Sequence, residues 1–219
     1  MGKITRITAV AATAALVFTG SLAATSASAA TADPLTRVDS VSIAPSGFVL
    51  LHGTTRITTV PDRTTSTAVA TLTRVLGTPK VVKGTPGDGT NVCTVVPTTY
   101  TWGSGLRITD KRTAKQTSFT VEITKGIVAG RTRGAVILEG PKGEKVGQSG
   151  AALIANAPAS HRAKIAYTNP VRYQVLLAPD AGSTAKSVTG VVATTQGTGS
   201  ATRIVLIDSH FRVGQLDGC

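Results

Sequence analysis

Across 219 residues, 23 Lys and Arg stand against 11 Asp and Glu, a formal charge of +12, while Phe, Trp and Tyr supply 4 % of the chain. Scarce aromatics leave the core to Val, Ile, Leu and Ala, and they argue against the stacking platforms that single-stranded nucleic-acid binding needs. Two distant cysteines, Cys93 and Cys219, are too few for a structural zinc site.

The first 29 residues read as a signal peptide. Lys3 and Arg6 form a short basic leader, a largely apolar run follows from Ile7 to Leu22, and small residues close the segment. Two Ala-x-Ala sites, Ala27-Ser28-Ala29 and Ala30-Thr31-Ala32, start the mature chain between Ala30 and Asp33, with cleavage expected after Ala29. A retained membrane anchor is the alternative, but the run is shorter than the roughly 20 apolar residues a bilayer needs and no basic stop-transfer cluster follows. No Cys stands at the cleavage site to take a lipid.

The expected product is secreted, either free in the medium or held at the cell wall without a covalent anchor. Losing Lys3 and Arg6 leaves it a charge of about +10, so its natural partner is anionic. In an oxidising compartment a lone cysteine pair is expected to form one disulfide, Cys93 to Cys219, contributing roughly 3–5 kcal/mol by chain entropy. Two unpaired or intermolecular thiols are the alternative.

About 190 residues remain, enough for one domain or two small ones, and their many Thr and Val favour strands. In a first half, 30–125, Val41 to Leu51 predicts a strand or hairpin around Pro45-Ser46-Gly47, closed by His52-Gly53-Thr54-Thr55. Ala68, Val69, Leu72, Val75 and Leu76 recur at helical spacing and predict a helix over 66–76, with capping side chains from Asp62 to Ser66 before it and Gly77 and Pro79 after it. Val81 to Val96 predicts two short strands around the loop Gly84 to Gly89. Tyr100, Trp102, Leu106 and Ile108 share one face across the kink Gly103-Ser104-Gly105, a hairpin or bent strand from Thr99 to Thr109. Lys111 to Gln116 is a basic turn, after which Phe119, Val121 and Ile123 alternate with polar residues as a half-buried strand.

A second half, 126–219, opens on Gly126-Ile127-Val128-Ala129-Gly130-Arg131-Thr132-Arg133, an echo of Gly47 to Arg56. If the echo is an internal repeat, a weak helix over 147–155 answers the one at 66–76, and 171–177 answers 100–108. Strands at 187–194 and 203–213 then close the unit. Chance recurrence of Gly-Thr patterns in a Thr-rich chain is the alternative.

Catalytic signals are sparse. His52, His161 and His210 are far apart and lie in no metal-binding pattern, so each reads as a surface or structural residue. Gly147-Gln148-Ser149-Gly150 is similar to the nucleophile turn of chymotrypsin-like serine proteases but lacks its Asp. His52, Asp110 and Ser149 follow that family's order without its motif around the histidine. Glu122, Glu139, Glu144 and Asp180 read as solvated charge, and Gly84 to Gly89 lacks the Gly-Lys-Ser/Thr of a nucleotide cradle. Neither a cofactor nor a metal is expected. Trp102, the single tryptophan, reads first as a core residue covering the helix and second as a ligand platform.

The segment Leu50-Leu51-His52-Gly53-Thr54-Thr55, the ending Val75-Leu76-Gly77-Thr78-Pro79 and the run Tyr100 to Ile108 resemble a group of uncharacterised secreted actinobacterial proteins. That group has a Gly-Thr turn, a helix ending in Leu-Gly-x-Pro, a Trp-x-x-Gly-Leu strand and a Cys near the C-terminus, which Val213 to Cys219 matches. A helix followed by antiparallel sheet, repeated, is also similar to β-lactamase inhibitor proteins and to small envelope lipoproteins of outer-membrane assembly. The likeness rests on short Gly-centred motifs over about half the chain, and it implies a fold more than a target. Inhibitors of that type carry a disulfide in each repeat, which two cysteines cannot supply.

Together these readings predict an α+β fold, antiparallel sheet with one or two packed helices, with an all-β sandwich as the alternative. The predicted function is a monomeric, non-enzymatic binding protein whose partner is an anionic cell-wall polymer or an exported protein, with no specific nucleic acid and no membrane span in the mature chain. Arg107, Lys111, Arg112, Lys115, Arg131 and Arg133 are its expected contacts, with Trp102 as the ring among them. The alternatives are a proteinaceous inhibitor of an exported hydrolase and a serine hydrolase using Ser149.

Overall fold

The Pro45-Ser46 turn folds Ser40–Ala44 (β1) antiparallel onto Gly47–His52 (β2), with Val41 opposite Leu50 and Ile43 opposite Phe48. Gly47 is required there. Its φ is +134°, and a Cβ would lie 2.0 Å from the Val60 carbonyl oxygen. The computed structural model describes residues 32–84, 96–110, 118–165, 168–184 and 187–214, all within one compact unit, Ala32–Cys219. Residues 1–29, read from sequence as a signal peptide, and Cys93, Cys219, Lys111, Arg112 and Lys115 lie outside the described residues.

Past the Gly53-Thr54 turn, Thr55–Pro61 (β3) pairs antiparallel with β2, where the sequence suggested only a closing turn. Its apolar signal is weak because it is an edge strand that buries only Val60. Thr65–Leu76 (α1) then forms as its periodicity requires, burying Ala68, Leu72 and Val75 and stopping at Gly77, whose φ is +90°. Thr64 precedes it without a side-chain capping bond.

Lys80–Lys83 (β4), Thr98–Trp102 (β5), Leu106–Asp110 (β6) and Thr120–Ile123 (β7) form an antiparallel meander. The segment expected over 99–109 is the β5–β6 hairpin. Of the two strands expected over 81–96, β4 forms, residues 85–95 lie outside the described residues, and Val96 is in no strand. Ile127–Val128 (β8) and Val136–Glu139 (β9) return to the first sheet, where β9 runs parallel to β1.

The weak helix is Ala151–Asn156 (α2), shorter than its pattern: Gly147 stands at φ +92°, outside the helical region, and the amides of Gly147 and Gly150 donate to the carbonyls of Ile204 and Thr202. A second antiparallel meander follows: Arg162–Ile165 (β10), Arg172–Pro179 (β11), Thr189–Gln196 (β12) and Arg203–Arg212 (β13).

The first sheet has the order β3-β2-β1-β9-β8, and the second β10-β11-β12-β13-β7-β6-β5-β4. The two meanders join through their last strands, β13 and β7. Strands on either side of residue 125 therefore pair within both sheets. Val41, Phe48 and Leu138 of the first sheet, Leu106, Ile123 and Ile207 of the second, and Leu72 of α1 belong to one buried cluster. The fold is α+β: helix and sheets share a core of aliphatic side chains, each contributing about 1.5–3 kcal/mol when fully buried.

Candidate functional site

Strand alternation decides what each predicted contact residue faces. Trp102, Leu106 and Ile108 point into the core, so Arg107 projects from the opposite face of the second sheet, where it is exposed and ion-paired with Glu122 across the strand on β7. Register places Lys80, Thr101, Arg107, Glu122 and Asp208 in one cross-strand row on that face. Val82, Thr99, Thr109 and Thr120 form a second row.

Trp102 is not on this surface. It is 2 % exposed, and its indole N–H donates to the Gly77 carbonyl at 2.8 Å, tying β5 to the end of α1. The ligand-platform reading is corrected accordingly: a ring with one polar atom was buried because that atom meets an unpaired helix-terminal carbonyl.

Arg131 and Arg133 lie on the loop between β8 and β9, which docks on α1. The Arg131 amide donates to the Val75 carbonyl at 2.7 Å and the Thr132 hydroxyl to the Thr36 carbonyl at 3.3 Å. Since α1 packs on the core side of the second sheet, these two arginines and Arg107 occupy opposite sides of it. Arg107 is thus carried by a strand on the sheet face turned away from the core, and Arg131 and Arg133 by a loop docked on α1.

The acids behave differently. Asp33 pairs with Arg74 at 2.5 Å, Glu122 with Arg107, and Glu139 with Lys145 at 3.8 Å, while Glu144 accepts from the Lys142 amide at 2.9 Å. Asp39 contacts His52 Nδ1 at 2.7 Å and accepts from the Gly53 amide. Burial alone would raise its pKa, but the Gly53 amide, His52 and the nearby Arg133 charge outweigh that and hold it below the usual value. Asp62 and Asp180 flank His210, and Asp110 and Asp208 are also engaged. Every described acid therefore has a partner. By contrast, Arg56, Arg63, Lys80, Lys83, Arg131 and Lys164 are exposed and make no side-chain ion pair among the described residues.

The hydrolase constellation is not assembled. Ser149 is exposed beside Arg203, and the neighbouring amides of Gly147, Gln148 and Gly150 donate to the carbonyls of Ile204, Lys145 and Thr202, so they do not form an oxyanion hole. His52 ends β2 in the other sheet with Asp39, rather than Asp110, as its partner. His161 lies half-buried in a 3-10 turn, while His210, read from sequence as surface or structural, proves to be the centre of a charge cluster. Its two partners lie about 30 and 150 positions away, and no local motif announces them.

Two open grooves of about 420 and 390 Å³ flank α2, one including Lys164 and Tyr173, the other His161 and Leu176. Among the described residues no cluster of His, Cys, Asp and Glu is arranged to hold a metal, and no helix is long and apolar enough to cross a membrane. No protein-family model matches the chain, and neither a curated protein nor a solved structure matches it.

Proposed function

We propose that the protein is a secreted, non-enzymatic binding protein of the cell envelope or medium, and that its ligand is an anionic wall polymer. The observation that carries this reading is the asymmetry of charge pairing among the described residues: the acids are spent on internal partners, whereas Arg56, Arg63, Lys80, Lys83, Arg131 and Lys164 make no side-chain ion pair. An unbalanced surface of this kind attracts polyanions over a distance of about one Debye length, roughly 10 Å at 0.1 M salt. Cations on both sides of a sheet suit a flexible polymer that bends around the protein better than a compact ligand. The duplicated order of a helix followed by a four-stranded meander supports the reading of two related halves.

One feature favours the second reading, an inhibitor of an exported hydrolase. Among the described residues β4 is the last strand of its sheet, its Val81 and Val82 are 50 % and 49 % exposed, and a protein partner could extend the sheet there. Co-sedimentation with isolated cell walls across a salt series separates the two. Polymer binding is expected at low salt with progressive release as salt rises. Absence of binding at low salt overturns the polymer reading, and salt-resistant one-to-one capture of a single exported protein replaces it with the inhibitor.

A further inference from the structure

His210 lies near the end of β13 with φ +54°, a backbone region that non-glycine residues seldom occupy. The pairing explains it. Gly190 opposes Phe211 and Val192 opposes Asp208, so Ser209 and His210 together stand against Val191 alone. This bulge re-aims the histidine out of the regular alternation of its strand.

The imidazole thereby enters a space between two carboxylates. Nε2 lies 2.6 Å from Asp62 Oδ2 and Nδ1 3.2 Å from Asp180 Oδ2, with side-chain exposures of 18 % for the histidine, 12 % for Asp62 and 16 % for Asp180. Asp62 joins β3 to α1, and its backbone is held on both sides, its N–H by the Ser46 carbonyl and its C=O by the Phe119 amide. Asp180 follows β11. One ring thus touches the edge of the first sheet, the approach to α1, and two strands of the second.

A neutral imidazole has one N–H and can satisfy only one of these carboxylates, leaving the other facing a nitrogen lone pair in a largely buried site. Imidazolium offers a donor to each. The Nε2 contact with Asp62 is off the hydrogen-bond direction, so attraction of opposite charge rather than alignment holds it. Asp180 Oδ1 and Thr65 Oγ1 are also buried without a hydrogen-bond partner among the described residues, so little else there compensates a lost charge.

We propose that His210 is a proton-operated clasp: protonated, it holds the β3–α1 junction and the end of β11 against β13, and neutral, it releases one of them. Burial works against the charged ring, but the hydrogen bond to Asp180 and the negative charges of Asp180 and Asp62 prevail and raise its pKa above the ordinary 6.5. Among the described residues, those two carboxylates are the charges in contact with it. β12 carries no ionisable side chain, β7 presents Glu122 opposite Asp208 two positions up β13, and Thr65 of α1 is uncharged. Because the folded value is raised, the clasp contributes fully below the unfolded pKa, and its contribution is lost as pH climbs through the folded one.

The test is an NMR titration of the His210 ring in the intact chain over roughly pH 5 to 9. It is paired with exchange protection factors for three amides: Ala68 (to Thr64), Phe119 (to Asp62) and Asp180 (to Thr189). His210 is expected to titrate above the ordinary histidine range, and protection to fall through the same midpoint on the released side, at Ala68 and Phe119 or at Asp180. Each pH unit of displacement allows up to about a tenfold loss of protection. His210→Gln should remove that pH dependence, and Asp180→Asn should lower the midpoint, which decides the matter even where the glutamine variant does not fold. A ring that titrates at or below 6.5 overturns the clasp. So does protection that stays flat while the ring titrates.

Discussion

Trp102 concentrates in one side chain what a sequence can and cannot say about a residue. Its place at period two with Tyr100, Leu106 and Ile108 marks it as inward-facing, and it is buried. That its N–H meets the carbonyl of Gly77, 25 positions earlier, is not written locally. Trp102→Phe should therefore destabilise by about 1–3 kcal/mol in denaturant titrations, through a lost hydrogen bond and a residual cavity, while leaving wall binding unchanged. Loss of wall binding in a fully folded variant would restore the ring to the contact surface. Gly47→Ala is expected to be worse, because any Cβ collides with backbone and φ is +134°. Asp39 sets a limit at the acid end: its pKa is depressed, so its contribution is complete above the unfolded carboxylate value and disappears as pH falls through the folded one.

At the scale of elements, legibility followed the strength of the period. α1 was read to within a residue, 66–76 against Thr65–Leu76, because one face carries Ala68, Leu72 and Val75. Leu72→Ala should cost about 2–5 kcal/mol in thermal or denaturant melts, as expected of a fully buried leucine that leaves a cavity. The β1–β2 and β5–β6 hairpins were legible because a Gly-containing turn separates alternating runs. β3, β8, β9 and β10 were not, since they are short or lie at edges and bury few side chains. β4 shows how such an edge is protected: Lys80 and Lys83 bracket the exposed Val81-Val82 pair. Replacing both lysines with Val should promote self-association, visible as a concentration-dependent rise in apparent mass on sedimentation. A strictly monomeric double variant would show that the lysines do not guard this edge.

For the whole molecule, the order of helix then meander occurs twice, and the two meanders become one eight-stranded sheet by pairing β13 with β7. The parallel contact of β1 with β9 closes the other sheet across the same boundary. The halves are thus interlocked, and neither owns a sheet of its own. A disulfide between Cys93 and Cys219 would add a covalent tie. Under non-reducing conditions the peptides bearing these cysteines are expected to elute as one linked species, and two separate thiol-bearing peptides would refute the pairing.

The sequence by itself determined composition-level properties, a strong positive charge and an aliphatic core, and beyond them the helix α1 and the best hairpins. These depend on neighbours within one turn or one strand, where side-chain period and glycine placement act directly. Only the tertiary structure decided which strands share a sheet, that Arg107 and Arg131 lie on opposite sides of one, and that His210 meets Asp62 and Asp180. Those outcomes arise from contacts between residues far apart in the chain. Each is selected by burial of whole faces and by the pairing of charges that burial leaves no other way to satisfy.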